Sequence, residues 1–317
     1  MKKAILFFLL SITSAYGQIS GCTDSLAKNF NPKATDNDGS CVYASAKIKR
    51  ESSIKLNDTL IETSGLIAFD SLLWTHNDDH DTTIYGMDSN GKIQNKIKLE
   101  KVVNTDWEEI SQDSTYLYIG DFGNNYQGNR TDLHILRIEK KSFLLNTPVI
   151  DTISFSYSNQ TDFTQKSPNT TDFDCEAFVV SQDSIYLFTK QWNQNKTSVY
   201  VLPKNPGNHI AQLKETLNVE GLITGATTLP SGKGIVLCGY TKKFQSFLYL
   251  LYDYKNHDFS TANKRRIKLS MPFHQIEGIA TLDGLLFYVT NESFIIKPIV
   301  NTPQKLNTLD LSSYLNP

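Results

Sequence analysis

The sequence predicts an all-β protein: a β-propeller of five four-stranded blades over residues 46–317, with room for a sixth, preceded by a small disulfide-closed module over residues 19–45. Three observations carry this. A four-strand unit recurs from residue 62 onward, no convincing amphipathic helix interrupts it, and a polar stretch bracketed by two cysteines stands ahead of the repeat. With 317 residues, 39% apolar and 20% charged, the chain has globular composition and enough length for a substantial core.

Residues 1–18 read as an export signal: Lys2 and Lys3 form a positive start, Ala4 to Thr13 a short apolar run, and Ser14-Ala15-Tyr16-Gly17 a small-residue cleavage region before Gln18. That run is too short to cross a bilayer as a helix, and no later window reaches about eighteen apolar residues, so no transmembrane segment is expected. The expected address is secreted or cell-surface. Ile19-Ser20-Gly21-Cys22 also fits a lipoprotein processing box, in which lipidated Cys22 would anchor the chain; the competing use of Cys22 is a bridge to Cys41.

The chain carries 31 Lys and Arg against 33 Asp and Glu, and two of the lysines leave with the signal. The mature protein is therefore acidic, without the clustered basic surface that nucleic acid requires. Lys264-Arg265-Arg266, the densest basic run, reads as the solvated face of an outer strand. A monomer is the expected state.

Residues 21–43, GCTDSLAKNFNPKATDNDGSCVY, are short, polar and rich in Asn and Asp. So small a segment lacks a core of its own, and a Cys22–Cys41 bridge would constrain it by roughly 3 kcal/mol. It resembles a G-C-T-D... N-P-x-A... D-G-S-C-x-Y module of secreted Bacteroidetes proteins. Asp24, Asp36, Asn37 and Asp38 are either hard ligands for calcium or turn formers within the loop.

Each repeat opens with acidic or small residues and a short strand: Glu62-Thr-Ser-Gly-Leu-Ile-Ala, Asp106-Trp-Glu-Glu-Ile-Ser, Asp174-Cys-Glu-Ala-Phe-Val-Val, Ile223-Thr-Gly-Ala-Thr-Thr-Leu and Gln275-Ile-Glu-Gly-Ile-Ala. An apolar β-branched or aromatic strand follows, as in Leu72-Leu-Trp-Thr-His and Tyr116-Leu-Tyr-Ile-Gly. A third strand alternates, with Phe294-Ile-Ile-Lys-Pro-Ile taking that place in the last unit, and a more polar fourth completes most units, as over residues 92–99, 151–157 and 264–269. Lys47 to Leu56 could supply the outer strand of the last blade and close the ring. A sandwich, the rival fold, leaves the recurring acidic opening unexplained.

Aligning the units gives two registers, Glu62, Asp106, Asp174, Ile223, Gln275 and Ser64, Glu108, Glu176, Gly225, Glu277. Side chains two apart on a strand share a face, so Glu62, Asp106, Glu108, Asp174, Glu176 and Glu277 are expected to crowd one mouth of the central channel. Crowded carboxylates raise one another's pKa unless a cation compensates, and an oxygen-only donor set points to calcium; capping of backbone amides between blades is the alternative. Loops after the second strands join the same mouth and offer His76, Asn77, Asp78, Asp121, Asn124, Asn125, Arg130 and Lys190 as ligand-binding candidates. His76 and His80 with the neighbouring aspartates could also take a transition metal, or form only a solvated turn. Neither a G-x-S-x-G elbow nor a phosphate loop is present. Cys175 sits between two acids, which disfavours a thiolate; it reads as a packing residue or a partner of Cys238.

Leu73-Trp-Thr-His-Asn-Asp, Asp106-Trp-Glu-Glu-Ile, Leu117-Tyr-Ile-Gly-Asp-Phe-Gly-Asn-Asn and Asp174-Cys-Glu-Ala resemble the L-W-x-H-N-D, D-W-E-x-I, L-Y-x-G-D-x-G-x-N and C-E-A motifs of a group of exported bacterial propellers. Glu277-Gly-Ile is more distantly similar to phytase-like and SdiA-regulated propellers. The closer resemblance implies a fold and no settled reaction; the distant one implies calcium-dependent phosphoester hydrolysis, although the dense Lys and Arg cluster that a phosphate-rich substrate would call for is missing. Two functions follow: a binding propeller with a cation-assisted site for a small molecule, glycan or protein, or a metal-dependent hydrolase with Asp106, Glu108, Asp174 and Glu176 at the metal and His76 as general acid or base.

Overall fold

The computed structural model describes residues 17–315. All but the last two residues of the signal-like segment lie outside the described residues. Strands dominate, because the repeat supplies alternating or wholly apolar runs of strand length bounded by turn residues.

Five blades form a ring. Blade one is Thr63–Phe69, Leu72–Asn77, Thr83–Met87 and Ile93–Lys98, and blade two is Trp107–Gln112, Tyr116–Asp121, His134–Glu139 and Ile150–Tyr157, each antiparallel in chain order. Blade three is Cys175–Val180, Ser184–Thr189, Thr197–Pro203 and Gly207–Leu217. Its long outer strand, which the sequence pattern did not single out, also pairs in parallel with the outer strand of blade two. Blade four is Leu222–Thr228, Gly234–Tyr240, Gln245–Tyr252 and Asn263–Pro272, with Ala46–Ile48 added in parallel outside. Blade five is Ile276–Thr281, Leu286–Asn291 and Lys305–Asp310, completed by Ser52–Lys55 from the start of the chain. The N-terminal segment thus closes the ring, as expected.

Three expectations need correction. No strand occupies residues 158–174, so no sixth blade exists in the second unit. Phe294–Ile296 is not the third strand of the last blade; it pairs with Val300–Thr302 in a separate hairpin, and Lys305–Asp310 takes the place in the sheet. The 264–266 basic run is not a solvated face: Arg265 is buried, its guanidinium over the rings of Tyr43 and Tyr314, and Arg266 lies over Phe247.

The apolar core lies between blades. Trp74 and Ile84 of blade one meet Trp107 and Ile119 of blade two, and Phe143 from a short helix packs edge-on to Trp74. Equivalent clusters join each later pair, ending with Leu73 and Met87 of blade one against Ala280 and Leu306 of blade five. Each blade therefore buries both faces only when its two neighbours are present.

Cys22 and Cys41 are bridged. The module rests on blade four: Asp24 accepts hydrogen bonds from the hydroxyls of Tyr43 and Tyr252 at 2.7 and 2.6 Å. The Asn37 side-chain amide donates to the Asp253 and Thr261 carbonyls, Asp36 pairs with Lys255, and Asp38 accepts from the Ser40 amide. These four oxygen-bearing side chains point to different partners and do not form one calcium cage. Cys175 and Cys238 are both free and buried, so the proposed bridge between them is absent.

Ring closure uses residues outside the disulfide loop. The pair Cys22→Ser with Cys41→Ser should therefore cost the module about 3 kcal/mol while sparing the propeller, and limited proteolysis should cut inside residues 22–41 and leave the rest resistant. Digestion of the whole chain at one rate would contradict this.

Candidate functional site

The inner strands of the five blades pack side by side around the axis. Near the start of each, one residue bulges out of register with the second strand: Glu108, Glu176, Thr224 and Glu277 in blades two to five, and a wider irregularity after Ser64 in blade one. A bulge re-aims a side chain, and here it turns the acids into the channel mouth. Blade four contributes Thr224 at this place, not the expected Gly225.

The residue after the bulge reaches the axis itself. Gly225 and Gly278 leave no side chain there, and Gly65 of blade one has φ +64. Glu109 fills the space they leave: a Cβ on Gly65 would lie 2.9 Å from its Oε1, and one on Gly225 would lie 3.4 Å from its Oε2. Its carboxylate accepts from the amides of Ile110 at 3.0 Å and Ala226 at 2.7 Å, joining blade two to blade four. Burial raises its pKa, opposed by these amide bonds. Strand alternation places Glu109 on the face opposite Glu108, so the sequence pattern missed it; the bulge lets both point inward.

Above Glu109 opens a cavity of about 210 Å³. Its lining holds six carboxyl groups, those of Asp78, Asp106, Glu108, Glu176, Glu277 and Glu292, and, among the described residues, one cation, Lys190. Asn125, Asn169, Gln275, Ser64, Trp192 and Tyr240 complete the wall. Oxygens of Glu108, Asp174 and Glu176 lie within 4.8 Å of one another, all three buried. Asp174 accepts from the Asn124 amide and the Trp192 indole, each at 2.7 Å. Lys190 donates to Glu176 at 2.9 Å, its ammonium 4.8 Å from the Trp192 ring centroid and 5.4 Å from that of Tyr240. Glu277 is 7% exposed and faces the cavity. Gly123 is required beside this cluster, since a Cβ there would lie 2.3 Å from carboxylate atoms of both Asp106 and Glu108.

Burial and mutual repulsion push these acids toward neutrality. Asp106 is raised to about 7 by burial and then by Asp174, and Asp78 to about 8 by burial and then by Glu62. Glu292 rises to about 7 through burial, although Lys190 opposes it. Glu108 rises through burial and then through Glu176, Asp106 and Asp174. Burial likewise raises Glu277 and, against the pull of Lys190, Glu176. Lys190 stays firmly protonated: burial alone would lower it, and Glu176 foremost outweighs that.

The structure brings Asp78, Asp106, Glu108, Asn125, Glu176, Lys190 and Glu277 to this one mouth, with Asp174 directly behind. Others fall outside it. Glu62 is exposed and groups with Asp78 and Asp79 at the rim. His76 is fully buried, hydrogen-bonded through Nδ1 to the Asn77 carbonyl and edge-on to Trp107; burial pushes its pKa down to about 4. It does not line this cavity, and His80 lies outside on Asp79, so the two histidines make no shared metal site. The Asn77 side-chain amide donates to the Thr59 carbonyl. Asp121 and Arg130 pair at 2.7 Å, and Asn124 bridges the Phe173 carbonyl and the Arg130 amide. These four brace the loops and leave the ligand face to their neighbours. Tyr240 and Asn169 lacked a sequence signal, since one lies in an apolar strand and the other in a long irregular loop.

No protein-family model and no curated protein sequence matches the chain. Solved structures overlay weakly. The PQQ-bound aldose sugar dehydrogenase of Streptomyces coelicolor aligns at 10% identity and TM-score 0.44, covering 81% of this chain and 98% of that one. The α-L-arabinofuranosidase PaAbf62A of Podospora anserina, in complex with cellotriose, aligns at 6% identity and TM-score 0.45, covering 83% and 96%. The propeller assignment rests on strand order and ring closure.

Two outcomes follow from the geometry. Asp78, Asp106 and Glu292 hold protons to about pH 8, 7 and 7 when folded, against 3.8, 3.8 and 4.5 as ordinary values. The folded state thus binds more protons, so stability from these groups is full below about pH 4 and is lost as pH rises through 7 to 8. The melting temperature of metal-free protein should fall from pH 5 to pH 8.5, less steeply in Asp78→Asn; a rise over that range would refute the assignment. Glu109→Ala, which leaves the Ala226 amide unpaired and empties the axis, should lower unfolding free energy in urea by about 3 kcal/mol, and a change within about 0.5 kcal/mol would show that the carboxylate is dispensable.

Proposed function

We propose that this chain is an exported propeller binding protein that holds a divalent cation, calcium by the hardness of its donors, in the mouth of its channel and uses it to take a polar ligand. One observation carries the reading: the buried oxygens of Glu108, Asp174 and Glu176 within 4.8 Å of one another. Calcium binds oxygens at about 2.3–2.6 Å, so two ligands on opposite sides of one ion stand roughly 5 Å apart. Three carboxyls at that spacing, with a single lysine committed to one of them, fit an ion. Glu108 and Asp174 would carry it, with Glu176 shared with Lys190. The bound ion would supply the positive charge that this cluster lacks.

A disulfide in the module fits an oxidising compartment, and the leader-like first eighteen residues with the motif resemblance to exported propellers support export. Among the described residues no helix is long and apolar enough to cross a membrane.

A metal-dependent hydrolase of esters or phosphoesters is the second reading, favoured by Asp106: raised to about 7 beside Glu108, it suits proton transfer near neutral pH. His76 has no part in it. A phosphate-rich substrate is disfavoured by the single cation in the wall.

Calcium titrated into chelator-stripped protein should release or absorb heat with one-site saturation. At a hundredfold excess over Kd it should stabilise by about 2.7 kcal/mol, a melting shift on the order of 5 °C, and Glu108→Gln should remain folded and abolish both. Absence of heat and shift in the native protein ends the cation reading. Turnover of an ester or phosphoester panel that disappears in Glu108→Gln transfers the site to hydrolysis.

A further inference from the structure

We propose that the ligand of the channel mouth is an oligosaccharide, with one end in the cavity and the following sugar rings stacked on an aromatic shelf beside it; this rests on the mouth being a ligand site. The shelf starts at Tyr240, which lines the cavity and accepts a hydrogen bond from Gln275 at 3.3 Å. Phe244 lies nearly parallel to Tyr240, with ring centroids 6.3 Å apart. Phe294 and Phe273 extend the surface from Phe244, at 4.8 and 6.4 Å. Phe273 is 43% exposed and Phe244 and Phe294 are half-buried, so the rings run from the cavity wall into solvent.

Two of these rings are held at a conformational cost. Phe244 has φ 56 and Phe273 φ 60, the left-handed region that bulky side chains avoid. Phe244 ends a tight turn between the second and third strands of blade four, its amide bonded to the Thr241 carbonyl, and the Phe273 amide donates to the Phe244 carbonyl at 2.9 Å. Glycine or asparagine would make both turns without strain. Strained residues of this kind gather at ligand clamps, and exposed apolar patches mark interaction surfaces, ligand grooves among them. The backbone of these turns does not call for phenylalanine, and the two rings meet each other and Phe294 instead.

The ligand chemistry follows from the two halves of the site. The cavity offers carboxyl and amide groups that accept and donate hydrogen bonds, which suits hydroxyl groups and excludes an acyl chain. Beside it the partly exposed rings of Phe244, Phe273 and Phe294 offer apolar surface, which suits a pyranose ring with hydroxyls at its rim and C–H bonds on its faces. An oligosaccharide has both characters in a linear molecule.

The test is the double variant Phe244→Asn with Phe273→Asn, which keeps both turns and removes both rings. Native and variant proteins are compared for melting temperature, calcium heat and retention on a panel of immobilised neutral and uronic oligosaccharides. The expected result is an equal or higher melting temperature, unchanged calcium heat, and retention weakened by about tenfold or more. A melting temperature lowered by several degrees would show that the rings serve packing and overturn the proposal. Equal retention by both proteins, or none by the native protein while calcium heat persists, overturns it too and leaves the cation site standing. Retention lost in the double variant yet intact in Glu108→Gln would support the shelf and overturn the cavity's part in binding.

Discussion

Where the inner strands of the ring converge, the carboxylate of Glu109 lies buried between blades, and the architecture follows from how it is held. Gly65 and Gly225 withdraw, and Glu109 enters. Its carboxylate binds amides of blades two and four where water cannot reach, so the innermost strands are tied across the ring as well as to their neighbours. A buried carboxyl is costly unless its lone pairs are used, and the converging amides use them. The carboxylate-lined cavity forms at the mouth that the same inner strands frame.

The cavity inherits the geometry of those strands. A bulge one residue earlier in each inner strand sends Glu108, Glu176 and Glu277 to a common space, and loops after the second strands add Asp78, Lys190, Trp192 and Glu292. Carboxyls gathered this way repel one another, and Lys190 compensates only part of the charge. Stability and binding are opposed at this point: the groups that weaken the ligand-free fold at neutral pH are those best placed to hold a cation.

Much of this was legible before the structure. Repetition of Glu or Asp ahead of a short strand indicated both ring and mouth, and the segment around residues 47–56 indicated closure. The limits have physical causes. Period-two alternation cannot reveal a bulge, so Gly225 stood in for Thr224 and Glu109 was not singled out. His76 looked like a catalytic group because sequence reports its chemistry and not its burial behind Trp107. Arg130, Asp121, Asn77 and Asn124 are polar and near the mouth, yet their hydrogen bonds are spent on loop backbone and on one another. Phe294 belonged by composition to a strand and by pairing to a hairpin, and it is that departure from the sheet which brings its ring to Phe244.

Closure by Ser52–Lys55 against Lys305–Asp310 also sets an order of events. Residues 52–55 must wait, unpaired, for residues 305–310 to be synthesised, and blade five is unfinished until then. A nascent or truncated chain therefore presents two bare sheet edges that recognise each other and any similar edge nearby. The same latch that makes the finished ring seamless makes residues 305–310 decide whether there is a ring at all.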